Sequence, residues 1–193
     1  GASGDLRRFG AEKTRIQVGY DSELVSRIEE FAGREGLAAG TLGEREKKLD
    51  HGVMVPLYFI DQYLDDYKVV RISISGLTPL EHYRFGKCIQ KAVKETDRRT
   101  VIVASGDLSH RLKDEGPYDY AEEGPIFDEQ VTQAMAVGDF LAFLKFEEGF
   151  TEAAGECGLR SFIIMAGALD GMAVDSELLS YEGPFGVGYA VAA

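Results

Sequence analysis

The chain has 193 residues, of which 45% are hydrophobic and 28% charged, and its 33 acidic and 21 basic side chains leave a formal net charge of -12. That length is enough to bury one substantial core. The acidic excess argues against a protein that reads a nucleic-acid backbone, which needs a cationic face to displace counterions, and against docking on an anionic membrane surface.

Gly1–Gly10 is polar, carries no apolar signal core, and suggests no strand ahead of the first helix. Asp21 caps a predicted helix over Ser22–Arg34, where Leu24, Val25, Ile28 and Phe31 share one stripe, and Gly36 and Gly40 end it. Thr41–Leu49 is charged and reads as short or irregular. Leu49-Asp50-His51-Gly52 leads into the apolar segment Val53–Leu64, whose Pro56 suits a helix entered near Val53–Val55. Lys68–Ser75 has the β-branched composition of a strand. Thr78 and Pro79 suit the cap and first turn of an amphipathic helix over Leu80–Glu95. Arg99–Ala104 reads as a short strand covered on both faces. This alternation is α/β grammar.

Ser105–Tyr120 is a long polar connection, followed by a predicted helix over Glu122–Val137 and two shorter helical pieces, Asp139–Phe146 and Glu148–Gly155. Gly158–Leu169 is nearly all apolar and fits a buried helix ended by Gly171. Val174–Glu182 and Gly186–Ala192 read as two terminal strands around Gly183-Pro184-Phe185. With no repeat, low-complexity tract or linker, a single domain over residues 1–193 is expected.

Cys88 and Cys157 form no CxxC pair, so reduced thiols in a cytoplasmic setting are expected. No apolar run approaches the roughly 20 residues of a membrane span. Among the three histidines, His110 lies in ASGDLSHR, just beyond the predicted strand, where open α/β sheets bind ligands. Ser105, Gly106, Asp107, Ser109 and His110 supply a turn, an acid, two hydroxyls and an imidazole that can move a proton near neutrality. The plainer reading is that Asp107 and Ser109 cap a short helix beside an exposed His110. His51, in LDHG, is either a pocket residue or a histidine satisfied by a backbone carbonyl; His82, with Glu81 and Arg84 beside it, reads as a surface residue. Glu156, in AGECGLRSF, is either a capping acid for the helix that follows or a metal ligand, with Cys157 as a second donor. No HxH or HExxH spacing specifies a metal. The glycines of Tyr181–Tyr189 fit a tight hairpin rather than a phosphate loop, and Ser105 has no GxSxG setting.

Four ordered segments, LDHGVMVPLYFI, VIVASGDLSHRL, AGECGLRSFIIMAGAL and YEGPFGVGYAVA, resemble the catalytic subunit of class III extradiol ring-cleavage dioxygenases. The closest resemblance is to the branch called AmmeMemoRadiSam system protein B, related to Memo proteins, and it runs from Gly4-Asp5 through the final strand. It implies an α/β fold with a central mixed sheet flanked by helices. It also implies non-haem Fe(II) held by two histidines and one carboxylate, with sites open for a small aromatic diol and O₂. By this resemblance His110 is the acid/base histidine, His51 lines the substrate pocket and Glu156 is the carboxylate ligand. Asp107 matches a position that is acidic in the Memo-like branch, and Cys157 lies where Memo-like proteins place a cysteine. Which of Glu156 and Cys157 points inward stays open.

The family's two further histidine ligands, in PHxP-like and SPH or DH motifs, have no counterpart here and are expected upstream of Gly1. The expectation is therefore a chain lacking its N-terminal strands, inactive and without bound iron as it stands, whose exposed sheet edge invites homo-oligomers. The alternative implied by the branch is a non-enzymatic binding or maturation component acting with a radical-SAM partner. Metal-dependent hydrolysis in the same pocket is a third reading.

Overall fold

The structure is a computed structural model that describes residues 1–40, 45–116 and 118–193. The chain forms two compact units, residues 1–76 with 88–105 and residues 77–87 with 106–193. Its helices and mixed sheet are those of an α/β protein.

In the first unit two strands precede the first helix, β1 (Ala2–Leu6) and β2 (Ala11–Tyr20). This corrects the expectation that N-terminal strands are lacking. The strands pair antiparallel, with Ala2 opposite Val18 and Gly4 opposite Ile16. A 3-10 turn over Arg7–Phe9, closed by Gly10 at φ 78°, reverses the chain between them. In β2, Ile16 and Val18 are buried while Arg15 and Gln17 are exposed, the period of two that a half-buried strand requires. Ile16, Val18 and the half-buried Tyr20 carry the period only over the second half of β2, and the polar residues ahead of them conceal it.

Strand β3 (Lys68–Val69) lies parallel to β2, Gly19 opposite Lys68, and so makes the sheet mixed. The predicted strand Lys68–Ser75 pairs only over these two residues. Among the described residues Arg99–Ala104 joins no ladder. Branched side chains favour extended backbone, but a ladder also needs a neighbouring strand to pack and bond with. Here Ile74 is 47% and Val101 84% exposed.

Helix α1 (Ser22–Arg34) matches its predicted span. The Asp21 carboxylate accepts from the Leu24 N–H at 3.2 Å, satisfying one of the donors a helix start leaves free. Helix α2 (His51–Ile60) begins earlier than expected because Asp50 caps it, accepting from the Val53 N–H at 3.1 Å. Pro56 has no N–H to offer the carbonyl four residues back, at Gly52. The Ser105 hydroxyl donates to that carbonyl instead, at 2.6 Å. Met54 and Leu57 of α2 then pack with Ala2, Ile16, Val18 and Leu49 into the core of this unit, each contributing about 1.5–3 kcal/mol by leaving water. The expectation for Thr41–Leu49 falls, over residues 41–44, outside the described residues; Lys48 bridges to Ser3 beside β1.

Helix α3 (Pro79–Thr96) places residues 79–87 in the second unit and 88–96 in the first. It opens on a reciprocal cap. The Thr78 hydroxyl oxygen accepts from the Glu81 N–H at 3.3 Å, and the Glu81 carboxylate accepts from the Thr78 N–H at 2.8 Å. His82 is buried at 2% exposure, its Nδ1 3.0 Å from the Thr78 carbonyl oxygen. The surface reading of His82 is thus corrected: the imidazole turns back onto the helix start, where Glu81 caps Thr78.

The rest of the second unit comprises α4 (Glu123–Val137), a 3-10 stretch Phe140–Lys145, α5 (Glu148–Ala154), α6 (Leu159–Ala168), β4 (Leu178–Glu182) and β5 (Tyr189–Ala192). Phe127 and Phe143, both almost wholly buried, anchor an aromatic core with Phe146, Phe150 and Phe162. Helix α6 meets α3 at glycines: a Cβ on Gly167 would stand 2.0 Å from the Tyr83 carbonyl oxygen. The expected terminal strands form an antiparallel hairpin, β4 with β5, each starting later than predicted, at Leu178 rather than Val174 and at Tyr189 rather than Gly186. No helix among the described residues is long and apolar enough to cross a membrane.

Candidate metal centre

The segment 107–112 is fixed from several directions within the second unit. The Leu108 N–H donates to the Gly188 carbonyl at 2.9 Å, and the Gly188 N–H returns to the Ser109 carbonyl at 2.8 Å. Ser109 is fully buried; its hydroxyl donates to the Ala154 carbonyl at 2.8 Å and accepts from the Arg111 N–H at 2.9 Å. The His110 N–H donates to the Gly155 carbonyl at 3.3 Å. Glycine allows this density of contact: a Cβ on Gly106 would lie 2.4 Å from the Gly158 Cα.

The same bonding brings together three groups of different chemistry. One donor atom from each of Asp107, His110 and Cys157 lies within 4.8 Å of the other two. His110 Nε2 is 3.3 Å from Asp107 Oδ2, without the angular geometry of a hydrogen bond, and this shielded nitrogen has no hydrogen-bond partner among the described residues. A buried polar atom left in that state is costly unless something else binds it. The imidazole is held in plane by Tyr118, stacked on it at a centroid distance of 5.1 Å and an angle of 19°.

Cys157 as a residue is exposed, but its Sγ accepts from the Asp107 N–H at 3.2 Å. Burial pushes the thiol up; the bond from the Asp107 N–H opposes this, and the charges of Asp107 and Glu156 add to it. Glu156 is not one of the three converging groups. Its Oε2 accepts from the Leu159 N–H at 2.7 Å, making it the acid at the start of α6. Burial raises its carboxyl, opposed by the Leu159 N–H bond and by the charges of Arg160 and His110. His51 belongs to the first unit, exposed at the first turn of α2 with its ring 5.7 Å from that of Phe9.

Two residues of this centre escaped the sequence reading, Asp128 and Tyr181. Asp128 is 1% exposed; its Oδ1 accepts from the Ser109 N–H at 2.7 Å and its Oδ2 from the Tyr181 hydroxyl at 2.7 Å. The signal was present: Asp128 and Thr132 lie in the buried stripe of α4 with Phe127, Val131 and Met135, and an acid on an apolar face calls for a partner.

An imidazole nitrogen, a carboxylate oxygen and a thiol sulfur at these separations suit a first-row divalent ion. With one histidine in the cluster, these three do not by themselves reproduce a set of two histidines and one carboxylate.

Residues 2–192 match the family model described as the catalytic LigB subunit of aromatic ring-opening dioxygenase. A Clostridium acetobutylicum protein is 40% identical over 196 residues, covering 98% of this chain and 42% of that protein. The chain therefore spans less than half the length of that relative. The 3,4-dihydroxyphenylacetate 2,3-dioxygenase of Escherichia coli is 26% identical over 189 residues, 92% of this chain and 67% of that enzyme. A MEMO1 family protein of Thermococcus onnurineus is 34% identical over 100 residues, 49% of this chain and 32% of that protein. With residues 2–192 matching the family model, the chain belongs to the LigB family of aromatic ring-opening dioxygenase catalytic subunits.

Proposed function

We propose that this chain carries part of a non-haem Fe(II) centre in an extradiol dioxygenase-like protein that opens a catecholic ring with O₂. The observation that carries the reading is the shielded, partnerless His110 Nε2 facing the Asp107 carboxylate and the Cys157 thiol. In this reading Asp107 and Cys157 hold the ion, His110 faces it, and Glu156 stands beside them as a buried acid within electrostatic reach of His110 and Cys157. The chemistry such an ion supplies is Lewis acidity and electron exchange at open positions where diol and O₂ meet. His110 takes a proton from a diol hydroxyl at Nε2 and returns it as the ring opens. Tyr118 keeps the imidazole plane fixed for that exchange.

The test is O₂ consumption with catechols by the Fe(II)-loaded protein expressed from its complete coding region. Replacing His110 with Gln is expected to lower turnover by about 10²-fold or more while iron content is kept. Equal turnover in the two proteins removes the acid/base assignment, and a protein that takes up no Fe(II) removes the iron reading.

A second reading is favoured by the thiol in the cluster. A cysteine beside O₂ chemistry is open to oxidation, which suits a metal-holding binding or maturation component working beside a radical-SAM protein. Tight metal binding without catechol-dependent O₂ uptake, together with a stable protein partner, selects that reading.

A further inference from the structure

We infer that Asp128, with Tyr181 behind it, is the positioning residue that sets the His110 loop, an inference that rests on the reading of Asp107, His110 and Cys157 as a metal centre. The carboxylate is buried, and both of its oxygens are committed, one to the N–H of the residue preceding His110 and one to the Tyr181 hydroxyl. Those bonds tie together α4, β4 and the segment carrying two of the three converging groups. The approach from the other side is equally close: a Cβ on Gly188 would fall 1.9 Å from Asp128 Oδ2. Gly188 in turn exchanges backbone bonds with Leu108 and Ser109. The acid therefore sits where a strut must be for Ser109, and hence the His110 backbone, to have one position. Its hydrogen bonds go to the Ser109 N–H and the Tyr181 hydroxyl rather than to the three converging side chains, so its hold on the centre runs through the loop. Groups that orient ligands in this way change metal affinity without binding the metal.

The experiment compares the unaltered protein with Asp128→Asn, Tyr181→Phe and, as a control, Thr132→Val, all expressed from the complete coding region. Thr132 is buried on the same helix, but its hydroxyl donates only to the Asp128 and Glu129 carbonyls of that helix. Three quantities are read: amide hydrogen exchange at Ser109, the imidazole NMR signals of His110, and Co(II) affinity followed by the cysteine-to-cobalt charge-transfer absorption. In Asp128→Asn the Ser109 exchange is expected to speed, the His110 signals to shift or broaden, and Co(II) affinity to fall by about tenfold or more. Tyr181→Phe should give smaller changes in the same direction, and Thr132→Val should leave all three in place.

Unchanged Ser109 exchange and His110 signals in Asp128→Asn overturn the inference, as does an equal response in Thr132→Val. If Asp128→Asn does not fold, Tyr181→Phe decides on the same criteria. If the unaltered protein binds no Co(II), the metal reading fails, and exchange and NMR still judge the positioning role.

Discussion

Asp107 and Cys157, fifty residues apart in sequence, are bonded to each other twice: the Asp107 N–H donates to Cys157 Sγ at 3.2 Å and the Cys157 N–H to the Asp107 carbonyl at 3.4 Å. The Asp107 backbone thus holds both the backbone and the sulfur of Cys157, and the Asp107 carboxylate and the Cys157 sulfur lie within 4.8 Å of a His110 ring nitrogen. If the cluster holds a metal, Cys157→Ser should abolish the thiolate-to-Co(II) absorption and weaken binding, while the cooperative unfolding transition stays within about 0.5–1.5 kcal/mol of the unaltered protein, the worth of one weak hydrogen bond. Retention of the full absorption band in Cys157→Ser would show that the sulfur is not a ligand.

The Asp128 carboxyl is raised, chiefly by burial, with the hydrogen bonds from Tyr181 and Ser109 and the charge of His110 acting in the opposite direction. A raised folded-state value means that the native protein keeps this proton to higher pH than the unfolded chain does. The stabilising contribution is therefore complete below the ordinary aspartate range, near about 3.9, and is lost as pH rises through the folded value. Comparing urea midpoints of the unaltered protein and Asp128→Asn across this range should show the advantage of the unaltered protein shrinking as pH rises, then levelling. An advantage that grows with pH would contradict the burial argument.

The site was legible where chemistry and local order coincide. The Ser105–His110 run is legible because it gathers an acid, two hydroxyls and an imidazole just beyond a strand-like segment, and Cys157 is legible as a candidate donor. Glu156 displayed both of its readings at once; its bond to the Leu159 N–H gives it the capping role, and burial still marks it as an unusual acid. Asp128 was concealed because a helical stripe identifies a buried position without naming the partner, and its partners come from 19 and 53 residues away. The same holds for the strands: β1 and β2 are local neighbours with a weak period, whereas residues 99–104 have strand composition and no ladder among the described residues. Composition reports what a segment tolerates; pairing depends on what lies beside it.

Tyr118 and His110 form the ring stack at the centre, although Tyr118 is 52% exposed. An aromatic pair of this kind is worth about 0.5–1.5 kcal/mol. Tyr118→Phe should preserve the His110 imidazole signals, because the stack uses the ring and not the hydroxyl. Tyr118→Ala should broaden or shift them while leaving Ser109 exchange unaltered. Identical His110 signals in the alanine variant would mean that the stack does not constrain the imidazole.

Two glycines make a matched test of backbone packing at the centre. At Gly106 a Cβ would meet the Gly158 Cα at 2.4 Å and the Cys157 carbonyl oxygen at 3.2 Å, backbone against backbone, with no flexible side chain to give way. At Gly33, inside α1, a Cβ would meet nothing within 4 Å. Gly106→Ala should therefore destabilise the protein by about 1–3 kcal/mol, the usual cost of overpacking, and weaken Co(II) binding by pressing Asp107 away from Cys157. Gly33→Ala should instead stabilise by about 0.5–1 kcal/mol, since alanine loses less backbone freedom in a helix. Chemical denaturation of both variants measures the two signs. Equal effects from the two replacements would mean that the close approach of residues 106 and 158 does not hold the Asp107 and Cys157 segments together.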